Sequence, residues 1–196
     1  MKRTKKKKRF RRSIILLILA FVIIVSIFFV PRLVEQGQQW VYPLDYKSDI
    51  LEYSEDYGVD QYLMFALIRT ESAFDSSAVS SAGAIGLAQI MPETGQWLAD
   101  KMQLETYSVE MLYIPEINIK LSCYYINLLI ARFGSTGTAL AAYNAGMGTV
   151  SSWLEDSRYS DDGITLTYIP YEETRNYVER VNSAMESYTR LYSELA

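Results

Sequence analysis

The sequence predicts a mostly α-helical domain preceded by one N-terminal transmembrane helix. Three observations point there. Residues 13–30, "SIILLILAFVIIVSIFFV", carry no charge. Beyond them, apolar residues recur at helical spacing between glycine and proline stops. No run alternates apolar and polar residues long enough to build a large sheet.

Residues 1–12, "MKRTKKKKRFRR", open the chain and hold nine of the 19 Lys and Arg and no acid, so the rest of the chain sets ten basic residues against all 23 acidic ones, a net charge of about −13. A basic run alone can bind nucleic acid, but this one abuts the apolar stretch. Eighteen residues rise roughly 27 Å as a helix, close to the ~30 Å hydrocarbon core of a bilayer. The adjoining positive cluster predicts a cytoplasmic N-terminus and an exported remainder in a single-pass cell-membrane protein, with no nucleic-acid partner. A cleaved signal peptide is the other reading. The apolar core is longer than the ~7–15 residues of a signal h-region, and "VPRLVEQGQ" comes next in place of a small-residue cleavage site, which favours an uncleaved anchor. Residues 31–47, with Pro31 and Pro43, read as a stalk, and residues 48–196 as the exported domain.

Within that domain, Ile50–Tyr57 predicts a short helix stopped by Gly58, and Asp60 is placed to cap a second helix reaching about Phe74. The Gly- and Ser-rich stretch from Asp75 to Met91 is too broken for a helix and suits a small irregular or hairpin loop. Pro92 fits the first turn of a third helix, and Pro115–Phe133 is the longest periodic segment, with Gly134 placed to end it. A helix in "TGTALAAYNAG", another through Trp153, the acidic loop "EDSRYSDDG" and a C-terminal helix opened by Pro170 complete the domain. The single cysteine, Cys123, excludes an intramolecular disulfide and reads as a small core residue. With no histidine and no cluster of carboxylates, neither a metal site nor a cofactor is expected.

The residue that stands out is Glu71. Leu63, Leu67, Glu71 and Phe74 share one helix face, so the carboxylate falls on an apolar stripe, immediately before a loop of small residues. Two readings stand at this point. A glutamate at a helix end can simply reach water. Alternatively, a carboxyl in a partly dry cleft has a raised pKa and acts as a proton donor, while "SSAGAIGLAQ" lets a polymer approach the backbone closely.

Three ordered blocks bear on the choice: "ESAFDSSAVSSAGAIGLAQIMPET", "ALAAYNAGMGTVSSW" (Ala139–Trp153) and "IPYEETRNYVERV" (Ile169–Val181). Together, over roughly residues 48–190, they resemble the family-1 lytic transglycosylases, whose soluble lytic transglycosylase domain has a lysozyme-like fold. The resemblance implies cleavage of the β-1,4 bond between N-acetylmuramic acid and N-acetylglucosamine in peptidoglycan strands. Glu71 would be the single acid/base, with the muramic acid's own 6-hydroxyl as nucleophile and a 1,6-anhydro end as product. The substrate's N-acetyl group would replace the second carboxylate of ordinary glycosidases. It further implies substrate-side roles for Ser72, Gln89, Tyr143, Asn144 and Glu173. Gln89 would bond sugar groups, Tyr143 would hold Glu71 by its hydroxyl, and Asn144 would bind an acetamido group. Glu173 would orient groups near the catalytic site or support its pKa. Ala88, where the family more often has Met, would loosen one wall of the groove. Ser122 and Met147 depart from the family pattern in ways that bear on packing. Two rival readings remain. One is a lysozyme-type hydrolase, which would look first to Asp75 as second carboxylate. The other is a non-catalytic wall-binding scaffold in a secretion, sporulation or conjugation apparatus.

Overall fold

A helix whose every face is apolar has to be wrapped by others, and "YLMFALI" (62–68) supplies one. The computed structural model describes residues 2–195, with side chains from Leu17 onward apart from Ala20 and Glu35. The chain divides between Pro43 and Leu44 into two units.

The first unit is α1, Lys2–Val41, which contains Pro31. Its stretch Leu17–Val41 is long and apolar enough to cross a membrane by length and composition. The segment read as a stalk is therefore helical as far as Val41. Proline deletes one backbone hydrogen bond, but the residues after it, "RLVEQGQQWV", are mostly compatible with a helix, so the helix resumes.

In the second unit, α2 (Lys47–Tyr57) starts three residues before Ile50 and ends at Gly58, whose φ of 62° is the left-handed conformation glycine adopts freely. α3 (Gln61–Ser72) is capped by Asp60, whose carboxylate accepts from the amides of Tyr62 and Leu63. Tyr62 to Ile68 are all buried, so α3 is the central helix, not a surface helix with one stripe. α4 (Pro92–Lys101) and α5 (Pro115–Phe133) each begin with proline, and α5 ends at Gly134. α6 (Thr136–Ala145) is capped by the Ser135 hydroxyl and is followed at once by α7 (Met147–Leu154). α8 (Glu172–Leu191) starts two residues after Pro170, because Arg175 turns back to bond the carbonyls of Ile169 and Pro170, keeping them out of the helix. Two 3-10 turns, Val109–Tyr113 and Ser193–Leu195, had no sequence signal. α3 packs mainly on α8 and α2, and α5 on α6 and α2, while α6 joins α8 and α7.

The stretch after α3 forms a small hairpin-like loop. Val79 bridges Ile85 and Ile85 bridges Ile90, both antiparallel, and no longer strand forms among the described residues. One buried side chain, Asn118 of α5, holds it. Its Oδ1 accepts from Ala88 N at 2.9 Å, and its Nδ2 donates to Ile85 O at 3.0 Å and Leu112 O at 2.8 Å. Gly86, with φ 79°, lies so close beneath that a Cβ there would stand 2.3 Å from Leu112 O and 2.4 Å from the Asn118 amide. Ala88 is fully buried, with its amide held by Asn118. It is a core residue, not the groove wall the sequence suggested.

Replacing Asn118 by Ala strands two carbonyls and one amide in the interior. The Asn118→Ala variant should lose about 3 kcal/mol, lowering the calorimetric Tm by roughly 6–12 °C. A fall of under about 2 °C would show that the loop is held by other means.

Candidate active site

Glu71 sits in the last turn of α3, where the helix leaves the fully buried core. The turn just past it is strained. Ala73 and Phe74 both adopt positive φ, 52° and 67°, which residues with a Cβ rarely do. Three anchors hold that turn: Ala73 N donates to Arg69 O, Asp75 N donates to Ser72 O, and the buried Phe74 ring lies 6.4 Å from Phe65. The helix thus ends at Ser72, two residues before Phe74, and the chain reverses directly after the glutamate.

The residue keeps part of its surface in water, yet its carboxyl is heavily covered. Burial, opposed by the Tyr177 hydroxyl and the Arg180 charge, pushes the Glu71 carboxyl up from 4.5 to about 7. Tyr177, on the buried face of α8, was not anticipated. Its hydroxyl is buried and makes no well-formed hydrogen bond, yet it faces Glu71 closely enough to favour the ionised form. The signal available in the sequence was its place on the stripe Thr174, Tyr177, Val178, Val181, Ala184 and Tyr188.

Most of the residues singled out from the sequence bond to the protein's own backbone or side chains. The Ser72 hydroxyl donates to Leu87 O at 2.8 Å, tying the helix end to the loop. Gln89, itself at φ 48°, donates its amide to Gly86 O at 2.9 Å and Ala78 O at 3.1 Å. The Tyr143 hydroxyl donates to Ala88 O at 2.8 Å, so it holds the loop and not the Glu71 carboxyl, although it is near enough to feel that charge. Asn144 Oδ1 accepts from the Thr174 hydroxyl at 2.8 Å, joining α6 to α8. Glu173 is exposed in the first turn of α8, one turn before Tyr177, and engages none of these groups. Asp75 is exposed and bonded to Ser77 through both the backbone amide and the hydroxyl, which lowers its pKa.

Gln89, Tyr143 and Asn144 come together in a cleft of about 250 Å³, with Ile90, Met91 and Tyr125. A second, more open hollow of about 280 Å³ adjoins it, sharing Thr94 and Tyr125 and adding Glu93, Trp97 and Met147. The Trp97 ring stands edge-on to Tyr125, 6.1 Å between centroids, and Tyr125 lies 5.1 Å from Tyr143. These rings form a continuous aromatic floor. Tyr143 connects the two parts of the site, since it lines the cleft and lies within electrostatic reach of Glu71. The arrangement sets a carboxyl that is still partly protonated near pH 7 within electrostatic reach of Tyr143, which lines an aromatic groove. Among the described residues no group of three metal-binding side chains occurs.

Residues 48–164 match the family model described as "Transglycosylase SLT domain". The soluble lytic murein transglycosylase of Escherichia coli K12 is 34% identical over 154 residues, covering 77% of this chain and 24% of the relative. The membrane-bound lytic murein transglycosylase C of Serratia proteamaculans is 30% identical over 196 residues, covering 88% of this chain and 53% of the relative. Among solved structures, an inactive mutant of lytic transglycosylase Slt from Pseudomonas aeruginosa superposes with a TM-score of 0.67 at 34% identity, over 76% of this chain and 24% of that one. The 70-kDa soluble lytic transglycosylase of Escherichia coli gives 0.68 at 29% identity, over 81% and 29%. The chain spans about a quarter of the length of the soluble relatives and about half that of the membrane-bound one.

The raised carboxyl has a consequence for stability. Below pH 4.5 Glu71 is protonated whether the chain is folded or not. Between 4.5 and about 7 the unfolded chain releases this proton and the folded one keeps it, so stability falls across that window and stays lower above it. Glu71→Gln should therefore stabilise the protein by about 3 kcal/mol at pH 8 and change little at pH 4. Thermal unfolding of both forms at the two pH values checks this.

Proposed function

The chain belongs to the transglycosylase SLT domain family, and from that premise we propose that it is a membrane-anchored lytic transglycosylase of peptidoglycan with Glu71 as its single acid/base. The observation that carries the reading is the Glu71 carboxyl, buried at a helix end, raised to about 7 and within electrostatic reach of Tyr143, which lines the cleft.

The glycan strand lies along the groove over Trp97, Tyr125 and Tyr143, whose rings suit the apolar faces of sugars. Asn144 keeps its amide nitrogen for an acetamido oxygen, since its Oδ1 is taken by Thr174, and Gln89 keeps its carbonyl oxygen for a sugar hydroxyl or N–H. Ser72 serves by fixing the loop on which Gln89 stands, and Glu173 by supplying negative charge at the α8 N-terminus. Protonated Glu71 gives its proton to the glycosidic oxygen as that bond breaks. The carboxylate then takes the proton of the muramic acid 6-hydroxyl, whose oxygen closes on the anomeric carbon. The acetamido group stabilises the positive charge meanwhile, and no water is consumed. When Glu71 is ionised, the orphaned Tyr177 hydroxyl is the donor at hand to meet it.

A hydrolase with two working carboxylates gains no support from Asp75, which is exposed and committed to Ser77. The basic segment 1–12 beside the apolar helix supports a cytoplasmic N-terminus with the domain outside, at the face of the membrane where the wall begins.

Mass analysis of purified wall incubated with the full chain tests the reading. Anhydro-muropeptides, lighter by one water than hydrolytic products, are expected, and reducing muramic acid ends would replace it with the hydrolase. Glu71→Gln should lower the rate by about 10³-fold or more. The wild-type rate should decline as pH rises through about 7, where Glu71 loses its proton. Tyr177→Phe removes an influence that lowers the Glu71 pKa and should move that decline to higher pH.

A further inference from the structure

We infer that α1 pairs in parallel with α1 of a second copy of this chain, through a seam of Ile23, Ser26, Val30, Leu33, Gly37 and Trp40. This pairing rests on the anchor reading and goes beyond it.

Those six positions keep the alternating three- and four-residue spacing of a two-helix seam. Within the bilayer segment the spacing alone says little, because nearly every residue there is apolar. Past Val30 the helix sorts its residues sharply. At 100° per residue, Val30, Leu33, Val34, Gly37 and Trp40 fall within an arc of about 120°, with Arg32 and Gln39 opposite and Gln36 and Gln38 flanking it. Leu33 is 65% exposed and Trp40 86%. A stripe of this kind on a helix in water calls for a partner.

The continuity of the helix selects among partners. If residues 13–30 fill the hydrocarbon, residues 31–41 carry the same helix roughly 16 Å further, well beyond the apolar core. A helix that crosses the bilayer cannot also lay this stripe flat on its surface. A second copy, inserted with the same orientation, presents the same stripe at the same height, and a two-fold axis along the membrane normal makes the two self-complementary.

Gly37 supplies an independent observation. A Cβ at Gly37 would meet no atom within 4 Å, so nothing within the chain requires glycine there, and glycine weakens a helix. Midway between Leu33 and Trp40, it permits the close backbone approach that helix pairs use at membranes. Ser26, the sole polar residue between Ile14 and Val30, sits on the same seam, where its hydroxyl can bond across the pair.

Single cysteines at Leu33, Trp40, Arg32 and Gln39 in the full chain, oxidised in native membranes, test the pairing. The wild-type chain, whose only cysteine is the buried Cys123, sets the baseline. Disulfide-linked dimer should exceed that at Arg32→Cys and Gln39→Cys by at least about fivefold for Leu33→Cys and Trp40→Cys, and Gly37→Leu should reduce the Leu33→Cys dimer by a similar factor. Equal cross-linking on both faces, or none on the seam, in protein that resists alkaline carbonate extraction overturns the pairing alone. Release by carbonate overturns the anchor and the pairing together.

Discussion

Moving a carboxyl group out of water strengthens its hold on a proton, and the domain is organised around doing this to one glutamate. α3 is apolar on every side from Tyr62 to Ile68, so the other helices must enclose it. Glu71 lies one turn beyond that enclosed stretch, near Tyr143 and not far enough along to regain full hydration. Its raised proton affinity thus follows from where the central helix stops. Tyr177 and Arg180 act in the opposite sense and keep the pKa near neutrality, where an acid can both give and recover a proton.

The loop after α3 is built to stay in place. Tight turns at Ala73, Phe74, Gly86 and Gln89 occupy conformations that L-residues avoid or that glycine alone tolerates readily. Side chains from three helices hold it by its backbone: Ser72 from α3, Asn118 from α5 and Tyr143 from α6. A groove wall with its peptide groups fixed in this way can present Gln89 to a ligand with little further loss of freedom on binding. Rigidity here and burial at Glu71 come from the same packing, because Tyr143 lines the cleft, ties the loop at Ala88 and lies near the carboxyl.

Local chemistry made much of this legible in the sequence. Asp60, Gly58, Pro92, Pro115 and Gly134 act through their own backbone neighbours, so their helix boundaries could be read without the fold. Pro31 and Pro170 were harder. One is absorbed into a helix that resumes after a single missing bond, and the other is set outside its helix by Arg175, a contact no local rule announces. Glu71 declared itself by an ionisable group at the end of an apolar run. The polar residues of the motifs could not announce their bonds, since Ser72, Gln89 and Tyr143 spend their donors on carbonyls reached only after folding. Tyr177 escaped notice because an amphipathic stripe shows which residues of α8 are buried and not which of them meets α3.

All of these features converge on the proton affinity of Glu71. Carbon-13 NMR titration of the glutamate side-chain carboxyls, with Glu71 assigned by its loss in Glu71→Gln, reads that affinity directly. The account predicts that the Glu71 carboxyl titrates near 7. A Glu71 signal titrating at the ordinary value for a free glutamate, about 4.3, would contradict it and return the residue to a solvated helix end.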